Sequence, residues 1–508
     1  MNIQINKFYA VGLISIVLGI SFSCSQDLGN YDYHDINEVS ISFDSPSYSV
    51  MQGMPIKIVP KLSFSMDETG DTANYSYEWM THRYIATNDQ YAIISTERNL
   101  DLQKPSIANG SYTVYYKVTD NNTGITWTNN FSLKISSPIY EGWLALCNNG
   151  GKSRLDMVSK INGKDTVIND VLTSVGANIP DKYINAAPFE IQAHSSGKGF
   201  YGIYLITEGG CTRVDEESFM WDETYDIINE FDVQPANNFL SNHISYVNSY
   251  SMYLHDTSGN IYYYGRMAST NYSMPINTLN LLDYFKVSKY VCGNTWSANP
   301  SFLYDETNQR FLKHYTDMMQ SSKCQEITNG DVLTSWNTAK DLVYMDKQGG
   351  NRDGTITAIL KDPRSNKFYV LRFAGAATPK QTKYEELDIN NFQGIFNFDQ
   401  IEHYAVHNSL PYLFYSIGGK VYEYDMELKQ SFLMLELANK EITILDFADQ
   451  AYLNEYYDKL QVCSYDKSAG GNSGIMEFYS VGQVNGPLTS IEKHQGLGRI
   501  VSTDYRTR

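Results

Sequence analysis

Residues 254–266 read LHDTSGNIYYYGR. A short apolar run leads into a polar turn, and an alternating aromatic stretch follows, which is the pattern of a β-hairpin. The same order returns in LYDETNQRFLKHY (303–315), LKDPRSNKFYVLRF (360–373) and LFYSIGGKVYEYD (413–425). CSYDKSAGGNSGIMEFYSV (463–481) is a variant with a longer turn, and ALCNNGGKSRLDMVS (145–159) is a weaker opening copy. Turn centres near Gly259, Asn308, Ser365, Gly418 and Gly474 set a period of about 50 residues. That period in strand-rich chain predicts a β-propeller, one four-stranded sheet per blade. Residues 138–508 hold about seven blades at this spacing. A large irregular β-sandwich is the alternative.

Residues 38–137 carry a different rhythm. VSISF, YSVMQ, IKIVPKLSF and YSYEWM alternate apolar and polar residues, as half-buried strands do. YTVYYKVTD and ITWTNNFSLKIS follow, joined by NNTG, a hairpin turn. About seven short strands in about 100 residues predict an immunoglobulin-like sandwich, with Trp79 as core anchor on a central strand. The segment resembles the PKD-type domains of bacterial surface proteins, and YTVYYKVTDNNTG is similar to their penultimate strand and turn. The whole chain is therefore expected to be all-β, a sandwich followed by a propeller.

The N-terminus addresses the chain. Lys7 precedes the run FYAVGLISIVLGISF, whose length suits a signal peptide and falls short of the roughly 20 apolar residues that span a bilayer. Ser21 and Ser23 lead to Cys24, an approach that resembles the lipobox of bacterial lipoproteins, although Phe22 is larger than that pattern's usual occupant. The resemblance implies a leader over 1–23, a lipidated Cys24 and a polar tether over 24–37. Multiple acyl chains anchor firmly because each buried CH₂ adds about 0.8 kcal/mol. A plain secretory signal is the alternative. Only Asp27 lies as an acid close behind Cys24, so the tether's charge says little about export to the surface.

Composition narrows the partners. A formal charge of -18 opposes binding to nucleic acid, which needs a basic face. The 41 tyrosines favour strands. Cys147, Cys211, Cys292, Cys324 and Cys463 are scattered and odd in number, so most are expected as buried small hydrophobes, with room for one bridge.

The tether GNYDYHDINEV, the PKD-like strands and GWLALCNNGGKSRLDM together resemble the PKD-like family lipoproteins of Bacteroidota. That resemblance implies an outer-membrane surface lipoprotein, accessory to a SusC-type transporter and its SusD-type lid, and it supplies no catalytic residues.

Motifs for chemistry are sparse. No HExxH, GxSxG or P-loop occurs. His403 and His407 stand at i, i+4 but lack an acid between them and lie in a strand region, so they are expected as surface residues. Asp346, Asn351 and Asp353 put oxygen ligands on a Gly-rich loop, yet the spacing departs from an EF-hand and no glutamate closes it. Asp215, Glu216 and Glu217 offer paired carboxylates, read as a solvated loop in so acidic a chain. No catalytic residue, metal site or cofactor is expected. Tyr262, Tyr263, Tyr264, Tyr422 and Tyr424 are expected chiefly in packing, with the outward half of each set free to stack on sugars or peptides.

Three functions remain open: a non-catalytic accessory subunit of a SusC/SusD-type importer of oligopeptide or glycan, a free-standing surface glycan-binding lipoprotein, and a propeller-based lyase or hydrolase. The first is preferred, with a lean towards peptides.

Overall fold

The computed structural model describes residues 36–507, except 53, 68–72, 86–87, 104–106, 108–109, 162–163, 196–200, 249–250, 266–270, 294–299, 316–321, 329, 349–353 and 448–454. The leader, Cys24 and most of the tether lie outside the described residues, as do Asn351 and Asp353. The chain divides into two compact units between Ile135 and Ser136.

The first unit is a β-sandwich. Its larger sheet has five strands in the order Ser47–Met51, Thr126–Ser136, Gly110–Asp120, Tyr75–Ile85, Asn88–Ser95. Two strand pairs complete it, Val39–Ser42 with Lys61–Phe64 and Ile56–Ile58 with Leu100–Leu102. IKIVPKLSF is thus two strands, not one. Pro60 has no amide proton to give a ladder, so the halves part there and pair with different partners. Alternate residues of the long hairpin point inward, and Val114, Tyr116, Val118, Phe131 and Leu133 surround a fully buried Trp79. The Trp79 indole donates to Glu97 O at 2.8 Å, satisfying its one polar atom. At the NNTG turn, Asp120 Oδ1 accepts from the Asn122 amide at 2.8 Å and Gly124 adopts φ +74°, which a side chain would oppose.

The second unit is a β-propeller of seven blades among the described residues. Blade one has strands Gly142–Asn149, Lys152–Ile161 and Lys164–Ile168, and the C-terminal strand Arg499–Arg506 supplies its innermost position. Blade two has Pro188–Ser195, Tyr201–Thr207 and Gly210–Val214. Blade three has Ser241–Tyr246, Ser251–Asp256 and Ile261–Gly265. Blade four has Val287–Cys292, Ser301–Asp305, Arg310–His314 and Gln325–Glu326. Blade five has Asp341–Gln348, Thr355–Lys361, Phe368–Ala374 and Gln381–Leu387. Blade six has His403–Val406, Tyr412–Ile417, Lys420–Asp425 and Gln430–Glu436. Blade seven has Glu441–Phe447, Lys459–Tyr465, Gly474–Ser480 and Thr489–Leu497. Blades two and three therefore show three regular strands rather than four; in blade two the isolated bridge Thr212–Asp226 stands where a fourth would be.

The repeated motif is the hairpin between the second and third strands of each blade. In four copies an aspartate caps the turn: Asp256 Oδ1 accepts from the amides of Ser258 and Asn260, Asp305 Oδ1 from Asn308, Asp362 Oδ1 from Arg364, and Asp466 Oδ1 from Ser468. Gly474, expected at a turn centre, instead opens a strand, because Asp466 caps the turn earlier. The five described cysteines are all buried and unbridged.

Candidate functional site

The innermost strands pack in one ring, Arg499–Arg506, Pro188–Ser195, Ser241–Tyr246, Val287–Cys292, Asp341–Gln348, His403–Val406, Glu441–Phe447 and back to the first. Two groups of side chains on or next to these innermost strands bring titratable groups and aromatic rings together.

On blades two and three, Glu190 accepts from His243 Nδ1 at 2.7 Å, from Gln192 Nε2 at 2.7 Å and from the Ile244 amide at 2.9 Å. His255 lies behind, its ring 5.1 Å from that of His243, and burial holds its pKa well below the usual imidazole range. Its Nε2 is 2.9 Å from Ser245 Oγ. That spacing would suit a nucleophile and its base, but Ser245 Oγ donates to Lys289 O at 3.1 Å. The serine proton is committed to a carbonyl, so the neutral imidazole donates to the hydroxyl and the pair ties blade three to blade four.

On blades four to six, Tyr290, Tyr344 and Tyr404 form an aromatic arc. The Tyr290 and Tyr344 rings meet edge to face at 5.4 Å, and Tyr344 stacks on Tyr404 at 5.5 Å. Tyr344 OH donates to Asp346 at 2.8 Å, and burial pushes its pKa well above the usual phenol range, with Asp346 and Asp446 adding to the shift. Tyr290 and Tyr404 are partly exposed. Tyr344 is buried and the other two pack against the cores between blades, so the arc is chiefly packing, and only the exposed parts of Tyr290 and Tyr404 could meet a sugar or an apolar peptide side chain.

The residues singled out from sequence sit elsewhere or serve the fold. His407 is 2 % exposed, contrary to the expectation of a surface residue. Its Nδ1 accepts from the amides of Ser409 and Leu410, and burial lowers its pKa to about 4. His403 is partly buried and reaches Ile442 O at 3.1 Å. The i, i+4 spacing spans a strand and a turn, and the two rings meet opposite ends of the Glu441–Phe447 strand, His403 at Ile442 O and His407 against the Phe447 ring. Asp346 is occupied by Tyr344 and by the Lys347 amide at 2.7 Å. Asp215 caps its own turn through the Ser218 amide and hydroxyl, and Glu216 and Glu217 belong to that turn. Tyr262, Tyr264, Tyr422 and Tyr424 are all buried, and Tyr263 packs on Tyr253 and His314. No outward half remains in these pairs, because a blade is covered on both faces. Glu190, His243 and His255 were not found from sequence; only alternation within SNHISY and PFEIQAHS marks them.

Residues 24–182 match the PKD-like family. The match opens on Cys24 and runs through the sandwich and the first three strands of the propeller, including the Asn149–Lys152 turn and Asp156. No curated protein matches the chain. Among solved structures it is similar to a quinonprotein alcohol dehydrogenase-like protein from Bacteroides thetaiotaomicron, at 11% identity over 89% of this chain and 97% of that one, TM-score 0.39. A candidate 6-phosphogluconolactonase from Bacteroides fragilis is similar at 10% identity over 72% and 98%, TM-score 0.42. The extracellular domain of a candidate one-component system from B. thetaiotaomicron is similar at 11% identity over 90% and 67%, TM-score 0.36.

Proposed function

We propose that the chain is a non-catalytic lipoprotein, held on the outer-membrane surface through Cys24 and acting as an accessory subunit of a SusC/SusD-type importer of oligopeptide or glycan. The observation that carries this reading is the start of the PKD-like match at Cys24, directly behind the apolar run. The address and the domain type point the same way. Two further features support it. Among the described residues, the acids and histidines named from sequence are taken up by turns and packing. Exposed Leu281, Leu282, Tyr284 and Phe396 lie on connections between blades, which emerge on the same face as the repeated hairpins and offer apolar area to a partner.

The test is a pull-down from outer membranes in mild detergent, with an affinity tag on a flexible C-terminal linker. A TonB-dependent transporter and its lid lipoprotein are expected in stoichiometric amount. Recovery of the protein alone would overturn the reading. The exposed parts of Tyr290 and Tyr404 favour a second reading, a free-standing glycan binder, which binding of purified protein to polysaccharide tests. A lyase or hydrolase would draw on Glu190 and His243, and turnover of candidate polymers tests it.

A further inference from the structure

The seam where the ring closes holds a second cluster. The outermost strand of blade seven, Thr489–Leu497, adjoins the outermost strand of blade one, Lys164–Ile168. Glu492 and His494 are two residues apart on the first strand and therefore share a face. Asp165 comes from the second. One carboxylate oxygen each from Asp165 and Glu492 and a ring nitrogen of His494 all lie within 4.8 Å of one another.

Ligands about 2.1 Å from a common ion stand roughly 3 to 3.5 Å apart. The cluster is within about 1.5 Å of that closure by this measure, and the adjustment falls on Asp165, whose side chain is exposed. The other two are held in place, and on binding the ion replaces the proton between them, which leaves to solvent as the two atoms part by roughly half an ångström or more. His494 is 7 % exposed, with Nε2 2.6 Å from Glu492 Oε1. Glu492 is held from behind by Tyr456 OH, 3.0 and 3.2 Å from its two oxygens, the outer-shell support that metal-binding carboxylates use. The register with the neighbouring strand shifts between Phe478 and Tyr479, which pair with Glu492 and Ser490, and again between Gly474 and Ile475, which pair with Leu497 and Gln495. The two bulges flank Glu492 and His494 and aim this piece of strand, a common use of bulges. Lys160 is the nearby opposing charge, and it pairs with Glu455 at 3.2 Å.

We propose that Asp165, Glu492 and His494 bind a divalent first-row transition-metal ion of the zinc class, which fastens blade seven to blade one. One imidazole with two carboxylates suits such an ion, whereas calcium and magnesium favour all-oxygen sites. The site lies on the outer rim and is independent of the importer reading.

The experiment titrates Zn²⁺ and Co²⁺ into the full chain after chelation, following the visible Co²⁺ spectrum and the melting temperature. One equivalent is expected to bind, with a rise of roughly a few degrees at saturating zinc and none with Mg²⁺. Asp165→Asn removes an exposed ligand and is expected to melt as the unsubstituted metal-free protein does, while losing the zinc response and at least about tenfold in affinity. His494→Gln is expected to lose the Co²⁺ spectrum. No stoichiometric binding, or equal binding in Asp165→Asn, would overturn the proposal; adventitious binding at other histidines gives the second result.

Discussion

The amide of Gly498 donates to Asp156 Oδ2 at 2.9 Å, joining residues 342 positions apart. The same buried carboxylate accepts from Arg154 at 2.7 Å, from the Asp170 amide at 2.9 Å and from Asn169 Nδ2 at 3.3 Å. Asp156 thus ties the first blade to the strand that completes it.

Replacing Asp156 with alanine leaves a half-buried guanidinium and two amides without their acceptor. A loss of roughly 3 kcal/mol in unfolding free energy is expected, read by denaturant titration. Asp156→Asn keeps some acceptor capacity and should lose less. An unchanged midpoint in Asp156→Ala would refute the hub.

Gly498→Ala attacks the same junction by volume. Its Cβ would stand 2.8 Å from Cys147 Cβ and 2.9 Å from Arg154 Nη2, with no room on either side. A lower melting temperature is expected, whereas Gly471→Ala, whose Cβ meets open space but whose φ is +54°, should cost only the left-handed strain of about 1 kcal/mol.

Glu423 gives a pH dependence. It is fully buried between Phe414 and Phe432, with no hydrogen-bond partner for its carboxylate among the described residues. Burial, reinforced by Asp425, raises its pKa to about 7. The folded state therefore favours the protonated acid. This contribution is fully present below pH 4.5, the unfolded value, and is lost as pH rises towards 7. Glu423→Gln should match the parent near pH 5 and exceed it at pH 8, by on the order of 2 kcal/mol. Parallel stability curves for the two proteins would sink the idea.

His407 acts with the opposite sense. Its folded pKa of about 4 lies below the ordinary 6.5, so the neutral ring is favoured by folding. Stability is fully present above 6.5 and falls as pH drops towards 4. His407→Asn, which can still accept from the Ser409 amide, should flatten this acid limb in a melting-temperature series between pH 4 and 7.

Cys24→Ala tests the anchor. Metabolic labelling with a radiolabelled fatty acid should mark the parent and not the variant, and the variant should leave the membrane fraction. Equal labelling of both would place any lipid elsewhere.

The repeat was legible because a hairpin is a local object: Asp256 and Asn260, or Asp305 and Asn308, meet within one turn. The sandwich was legible for the same reason, from the alternation that buries Tyr116 and Val118 around Trp79. The ring closure was not, since Gly142 pairs with Arg506 and nothing near either residue announces the other. The axis was equally hidden. Glu190 meets His243 only because two blades bring their innermost strands together. The surface expectation failed at His407, because Phe447 and the Ser409–Leu410 turn, which cover its ring, come from outside its own strand. The packing role expected for Tyr422 and Tyr424 holds, and the exposed half that alternation allowed is missing because both sides of a propeller sheet are interior.

The last strand also sets the order of events in the life of the chain. Gly142–Asn149 emerges early and must wait for Arg499–Arg506 before its inner edge is covered. Until then the nascent molecule carries an open edge, a surface prone to pairing with other chains. A product cut short before Arg499 keeps that edge for good. The first blade's inner edge is thus hidden only once residues 499–506 have been made and have paired with it.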